Sequence, residues 1–129
     1  MRKTKYVINP TEHEEQSAFF DWLFHRRADV YELAYAIPNG SNKSVAAAQK
    51  FKREGLKSGV PDVCIAMPRG RYSGAYIEFK RRHTGYVSAD QRAWLDRLSN
   101  RGYCCIVAKG CADAVEFIEA YLKLEERKS

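Results

Sequence analysis

Three residues stand where hydrolytic chemistry could be done: Asp62, Glu78 and Lys80. Glu78 and Lys80 flank Phe79 in a strand-like run, Ala75-Tyr76-Ile77-Glu78-Phe79-Lys80. Both therefore project from one face, with Cα atoms roughly 7 Å apart, while Ile77 and Phe79 face the other way. Asp62 follows Gly59-Val60-Pro61, a turn that opens into a second apolar run, Val63-Cys64-Ile65-Ala66. Two strands joined by a tight connection bring its carboxylate beside Glu78. Phosphodiester hydrolysis needs hard oxygen ligands for a divalent cation, an activated water, and positive charge near the developing negative charge on phosphorus; two carboxylates and an ammonium supply these elements. An ordinary surface strand explains Glu78 and Lys80 as an ion pair, and E-x-K alone recurs by chance where about a quarter of residues are charged. The ordered set, turn, aspartate, apolar strand, loop, apolar strand with E-x-K, is far more restrictive and favours the catalytic reading.

The elements that must hold these residues can be read along the chain. An apolar-striped helix is expected over 12–28, then a short strand over 33–37 ended by the turn residues Pro38-Asn39-Gly40. Ser44 to Glu54 reads as a helix stopped by Gly55. Strands follow near 62–67 and 74–80. Ser88 can cap a helix to about Asn100, with Trp94, Leu95 and Leu98 on its apolar side and Gly102 at its end. A strand over 103–108 and a helix from Ala112 to about Leu124, burying Val115, Phe117, Ile118 and Leu122, complete the order α, β, α, β, β, α, β, α. That order predicts an α/β (α+β) class, with a mixed central sheet flanked by helices. The 129 residues, 45% of them hydrophobic, make one domain, with 1–9 and the charged 125–129 expected as flexible ends.

The net charge is +6, from 22 Lys and Arg against 16 Asp and Glu, and the excess is local. Lys50, Lys52, Arg53 and Lys57 precede the aspartate motif, and Arg81, Arg82 and His83 follow Lys80. Basic groups on both sides of two acidic ones suit a phosphate backbone better than plain solubility, because such binding is driven by counterion release. The loop Pro38–Ser44, with Asn39 and Lys43, offers donors ahead of a helix, where a phosphate or a simple turn with an N-cap fits equally well. Cys64, Cys104, Cys105 and Cys111 form no C-x-x-C pair, and His13, His25 and His83 complete no zinc spacing. With no apolar leader and no 18-residue apolar span, an intracellular, cytoplasmic protein without membrane contact is expected.

Five ordered blocks together resemble the VRR-NUC (virus-type replication-repair nuclease) branch of the PD-(D/E)xK nucleases. They are Glu12-His13-Glu14-Glu15-Gln16, Ile37-Pro38-Asn39-Gly40, Gly55 through Asp62, Ile77 through Lys80, and Ser88-Ala89-Asp90-Gln91 with Gly102-Tyr103 beyond. The resemblance implies a restriction-endonuclease-like core in which Asp62 and Glu78 bind Mg²⁺ or Mn²⁺, Lys80 orients or activates the attacking water, Gln91 lies near the metal, and an upstream helix adds a glutamate. Glu12 is the first choice for that glutamate, because Gln16, Phe19, Phe20 and Leu23 continue its stripe; Glu15, sharing a stripe with Phe19, Trp22 and Arg26, is the second. Acidic residues in a first turn also favour the helix dipole with no catalytic part. Asn39, Lys43, Lys50, Arg53, Lys57, Arg81 and Arg82 are the expected nucleic-acid contacts. Small standalone members imply a virus-encoded enzyme working in the host cytoplasm, a homodimer, and branched DNA such as four-way junctions as substrate. Phe19, Phe20, Trp22 and Phe24, on more than one face of the first helix, could form the dimer surface or be buried within one subunit. The alternative is a non-catalytic nucleic-acid-binding module of the same fold, which would be expected to lack an acidic ligand or the lysine.

Overall fold

The first helix, α1 (Glu12–Arg26), starts with a reciprocal cap: Glu14 N donates to Thr11 Oγ1 and Thr11 N to Glu14 Oε1, each at 3.1 Å. The structure, a computed structural model, describes residues 9–38 and 44–127. The expected single helix over 12–28 is broken at Arg27 (φ −141°, ψ 69°), and a short α2 (Ala28–Tyr31) follows. The break turns the chain toward the sheet, so that Val30 enters the core and Leu33 leads into β1 (Ala34–Ala36). Next come α3 (Val45–Arg53), β2 (Val63–Ile65), β3 (Ala75–Lys80), α4 (Ala89–Asn100), β4 (Cys104–Lys109) and α5 (Cys111–Tyr121).

The sheet runs β1-β2-β3-β4, with antiparallel pairing at the first two contacts and parallel pairing between β3 and β4. Parallel neighbours need a crossover, and α4 supplies it. Strand β3 is central and covered on both faces, so its alternation separates two environments rather than core from solvent. Ile77 and Phe79 enter the hydrophobic core with Phe19, Leu23, Ile118 and Tyr121, and the rings of Phe19 and Phe79 lie 5.7 Å apart. Glu78 and Lys80, on the alternate face, are buried too, at 2% and 7% exposure. On α5 the core residues are Ala114, Ile118 and Tyr121, with Val115, Phe117 and Leu122 partly covered.

Residues 125–127, expected as part of a loose end, are tied to the turn at 69–72: Gly70 N donates to Glu125 O at 2.7 Å and Arg127 Nη1 to Tyr72 O at 3.1 Å. Helix α3 buries none of its residues, which leaves Lys50, Lys52 and Arg53 in solvent. The four cysteines are free, with Cys64 buried and the others half-buried. Among the described residues, no helix is long and apolar enough to cross a membrane.

Candidate active site

Asp62 is placed by the loop that precedes it. Gly59 has φ +83°, and a Cβ there would lie 2.8 Å from Asp90 Cβ and 2.9 Å from the Asp90 carbonyl carbon, so only glycine lets the loop touch the first turn of α4. Trp94 Nε1 holds the same loop by donating to Ser58 O at 3.1 Å. Pro61 is fully buried, and Val63 pairs with Ile77, which sets Asp62 opposite Glu78. Phe79 N donates to Asp62 Oδ2 at 2.7 Å and Ile37 N to Asp62 O at 2.7 Å. One carboxylate oxygen of Asp62 is thus anchored to the strand that bears Glu78.

Glu78 is held from the other side by α4. Gln91 Nε2 donates to Glu78 Oε1 at 2.7 Å, while Gln91 Oε1 accepts from Ser88 N at 2.9 Å. The helix cap takes the amide oxygen, which leaves the amide nitrogen for the carboxylate. Lys80 Nζ stands 3.6 Å from Glu78 Oε1 and 3.6 Å from Glu12 Oε1. Glu78 Oε2 is buried without a hydrogen-bond partner. Burial, then the charge of Asp62, pushes the Glu78 carboxyl up to about 8; Lys80 opposes this and Glu12 adds to it. Asp62 is raised as well, chiefly by burial, against the pull of the Phe79 amide. Lys80 thus stands between two carboxylates, buried Glu78 and exposed Glu12, and its charge also pulls the Asp62 carboxyl down against that rise. Among the described residues, no group of three or more His, Cys, Asp and Glu side chains forms a ready metal cage. The residues that could hold a cation are Asp62 and Glu78, where the orphaned Glu78 oxygen is free to accept one.

The two helix glutamates have separate places. Glu15, not Glu12, lies on the buried stripe with Phe19 and Leu23, and Glu12 is exposed. The expectation that Glu12 and Gln16 extend that stripe is corrected accordingly: Glu15 finds polar partners inside. Glu15 Oε1 accepts from Arg82 Nη2 at 3.0 Å, and Oε2 accepts from Arg82 Nε at 3.2 Å and from Cys111 N at 2.6 Å. Three donors fill this carboxylate and join α1, the exit of β3 and the start of α5. Glu12, on the first turn, is the glutamate beside Lys80.

Arg82, expected as a phosphate contact, spends its guanidinium on Glu15. Arg81 donates to Pro10 O at 3.4 Å and to Asn9 O at 3.0 Å. The arginines after Lys80, expected at the phosphate backbone, thus also tie β3 to α1 and to the two residues that lead into its cap. Lys50, Arg53 and Lys57 are exposed, and Asn39 and Lys43 lie outside the described residues. Sequence reasoning missed the lock around Glu15 and the clamp of Trp94 on Ser58. The spacing of Glu15 from Phe19 and Leu23 signals the first; the second has no sequence signal beyond Gly59.

A model of the VRR-NUC domain matches residues 4–112, a span that includes Glu12, Asp62, Glu78, Lys80 and Gln91. Among solved structures, a VRR_NUC domain protein is 31% identical with a TM-score of 0.80, the alignment covering 95% of this chain and 94% of that one. No curated protein matches. The matched span and the shared fold lead to one assignment: this chain belongs to the VRR-NUC family of nuclease domains.

Proposed function

We propose that the protein is a Mg²⁺- or Mn²⁺-dependent DNA endonuclease whose working residues are Asp62, Glu78, Lys80 and Gln91, with Glu12 in support. The observation that carries this reading is Glu78: a buried carboxylate beside Asp62 and Lys80, with one oxygen fixed by Gln91 and the other buried without a partner. Nothing in the stability of a sheet rewards that arrangement, because an unsatisfied buried oxygen costs about 1 to 3 kcal/mol. A divalent cation bound by Asp62 and Glu78, with Glu12 directly or through water, would satisfy that oxygen and supply Lewis acidity at the phosphate. Gln91 keeps one oxygen of Glu78 turned toward α4, and the Phe79 amide holds one oxygen of Asp62 against β3. Lys80, at 3.6 Å from two carboxylates, holds the attacking water or hydroxide and faces the charge that develops on phosphorus.

A branched substrate such as a four-way junction, cut by a homodimer, is the finer part of the proposal. Two strands related by a two-fold axis need two sites, and each subunit offers one. Phe24 (59% exposed) and Tyr31 (41%) stack edge to face at 5.3 Å, and such an exposed aromatic pair supports an isologous pairing. Four free cysteines support a reducing cytoplasm as the place of action.

The test is cleavage of linear duplex, flapped and four-way DNA with Mg²⁺, Mn²⁺ or chelator, and of a supercoiled plasmid that extrudes a cruciform. Asp62→Asn, Glu78→Gln and Lys80→Ala are each expected to lose turnover while still binding DNA. Linear plasmid product without nicked circles fits paired incision. Metal-independent cutting, or wild-type rates in Asp62→Asn or Glu78→Gln, overturns the catalytic assignment. Nicked circles from a monomer overturn only the dimer.

A further inference from the structure

Beyond the acidic pair, on the same face of the sheet, lies a hollow of about 460 Å³ whose walls include Lys80, Tyr86, Arg92 and Lys109. Its volume is that of a small ligand pocket. Parallel pairing sets Lys109 directly beside Lys80, and Arg92 follows Gln91, which holds Glu78. The hollow thus begins where the acidic site ends. Among the described residues, neither Arg92 nor Lys109 has an ion-pair partner. The acidic wall residue Asp113 already accepts from Lys109 N at 2.9 Å. Arg81 and Arg82 are each hydrogen-bonded to the chain at or before α1, whereas Arg92 and Lys109 are exposed cations beside Lys80.

The fourth wall is built to be there. A Cβ at Gly85 would come 2.8 Å from both Lys80 Cβ and Arg81 N, so glycine alone lets the 81–87 segment fold back onto the end of β3. That fold carries Tyr86 to the rim with 83% of its surface exposed. An aromatic ring held in solvent at the edge of a cationic hollow is what an unstacked base needs, because every base offers a π-face and its phosphate seeks the cations.

We propose that this hollow takes one unpaired nucleotide adjoining the scissile phosphodiester, its phosphate between Arg92 and Lys109 and its base on Tyr86. The inference rests on the nuclease reading for what lies next door, and it gives the enzyme a means of choosing sites where duplex meets single strand. A fully paired end would leave Tyr86 without a stacking partner.

The experiment uses a duplex with a short single-stranded flap whose first unpaired base is 2-aminopurine, titrated in chelator and again with Ca²⁺. Wild-type protein is expected to change the fluorescence, and Tyr86→Phe to keep the change. Tyr86→Ala should abolish it and weaken binding about tenfold to a hundredfold. Tyr86 is so exposed that its removal does not threaten the fold. Arg92→Ala and Lys109→Ala should each flatten the log-log salt dependence by about 0.7. No fluorescence change with wild type in either buffer, or the same change and affinity in Tyr86→Ala, overturns the pocket. The readout needs no cleavage, so a protein that stacks the base but never cuts would defeat the nuclease reading and leave the pocket standing.

Discussion

Without a divalent cation, this protein is expected to lose stability as the pH rises from 6 to 8, and Glu78→Gln is expected to remove most of that loss. Glu78 sits in the folded chain with its carboxyl raised from 4.5 to about 8, first by burial and then by Asp62. Between those two values the folded state keeps a proton that the unfolded chain gives up. Its contribution is fully present below pH 4.5 and is lost as the pH climbs through about 8. At 2% exposure little solvent screening discounts this. Each pH unit inside the window costs about 1.4 kcal/mol, and the flattening near the upper end leaves about 2 kcal/mol between pH 6 and 8. For a domain of this size the melting temperature should fall by roughly 6 to 10 °C. Glutamine keeps the shape, stays neutral and can still accept from Gln91. The assay is urea and thermal unfolding of both proteins in chelator from pH 5.5 to 8.5. His13, His25 and His83 are present in both, so the difference between the curves isolates Glu78. Parallel curves, or a flat wild type, would refute the reasoning. Adding Mg²⁺ at pH 8 should restore the wild type more than the variant, since a ligand that binds only the folded state stabilises it by mass action.

Two further outcomes follow from the paired groups around α1. Glu15→Gln should cost about 2 to 3 kcal/mol in urea unfolding, because a charge-assisted set of three bonds is disrupted, whereas exposed Glu12→Gln should stay within about 0.5 kcal/mol and lower turnover instead. The reverse pattern would give Glu15 the catalytic part. Replacing Arg81 and Arg82 together by Ala should destabilise the fold while changing the salt slope of DNA binding by less than about 0.5; Lys50→Ala with Arg53→Ala should lower that slope by nearly 2. A drop of about 2 from the Arg81 and Arg82 pair would return both to the phosphate backbone.

Asp62, Glu78 and Lys80 were legible because strand alternation is a local rule: a period of two settles the face without knowledge of the partner. The mixed sheet was legible for the same reason, since apolar runs and their turns carry strand identity. Glu12 and Glu15 differ by most of one helical turn, and either stripe runs through Phe19 or Leu23. What decides which is buried is Arg82 and the Cys111 amide, 67 and 96 residues away. Periodicity cannot see such partners. The same limit explains the arginines after Lys80, whose charge is plain in the sequence while their acceptors are brought in by folding. The break at Arg27 was missed because residues 27–30 carry no glycine or proline.

The bond from Cys111 N to Glu15 also bears on the order of folding. It closes a loop of 96 residues, and contacts of that separation are slow to form because their chain entropy must be lost before they are rewarded. A nascent chain that has emerged only as far as Lys109 has no amide at 111 to offer Glu15. Helix α1 is therefore locked late, and it carries Glu12 to Lys80. During synthesis Glu12 is left unlocked until α5 begins to form, so a ribosome-bound fragment ending at Lys109 should hold a centre without its helix glutamate in place.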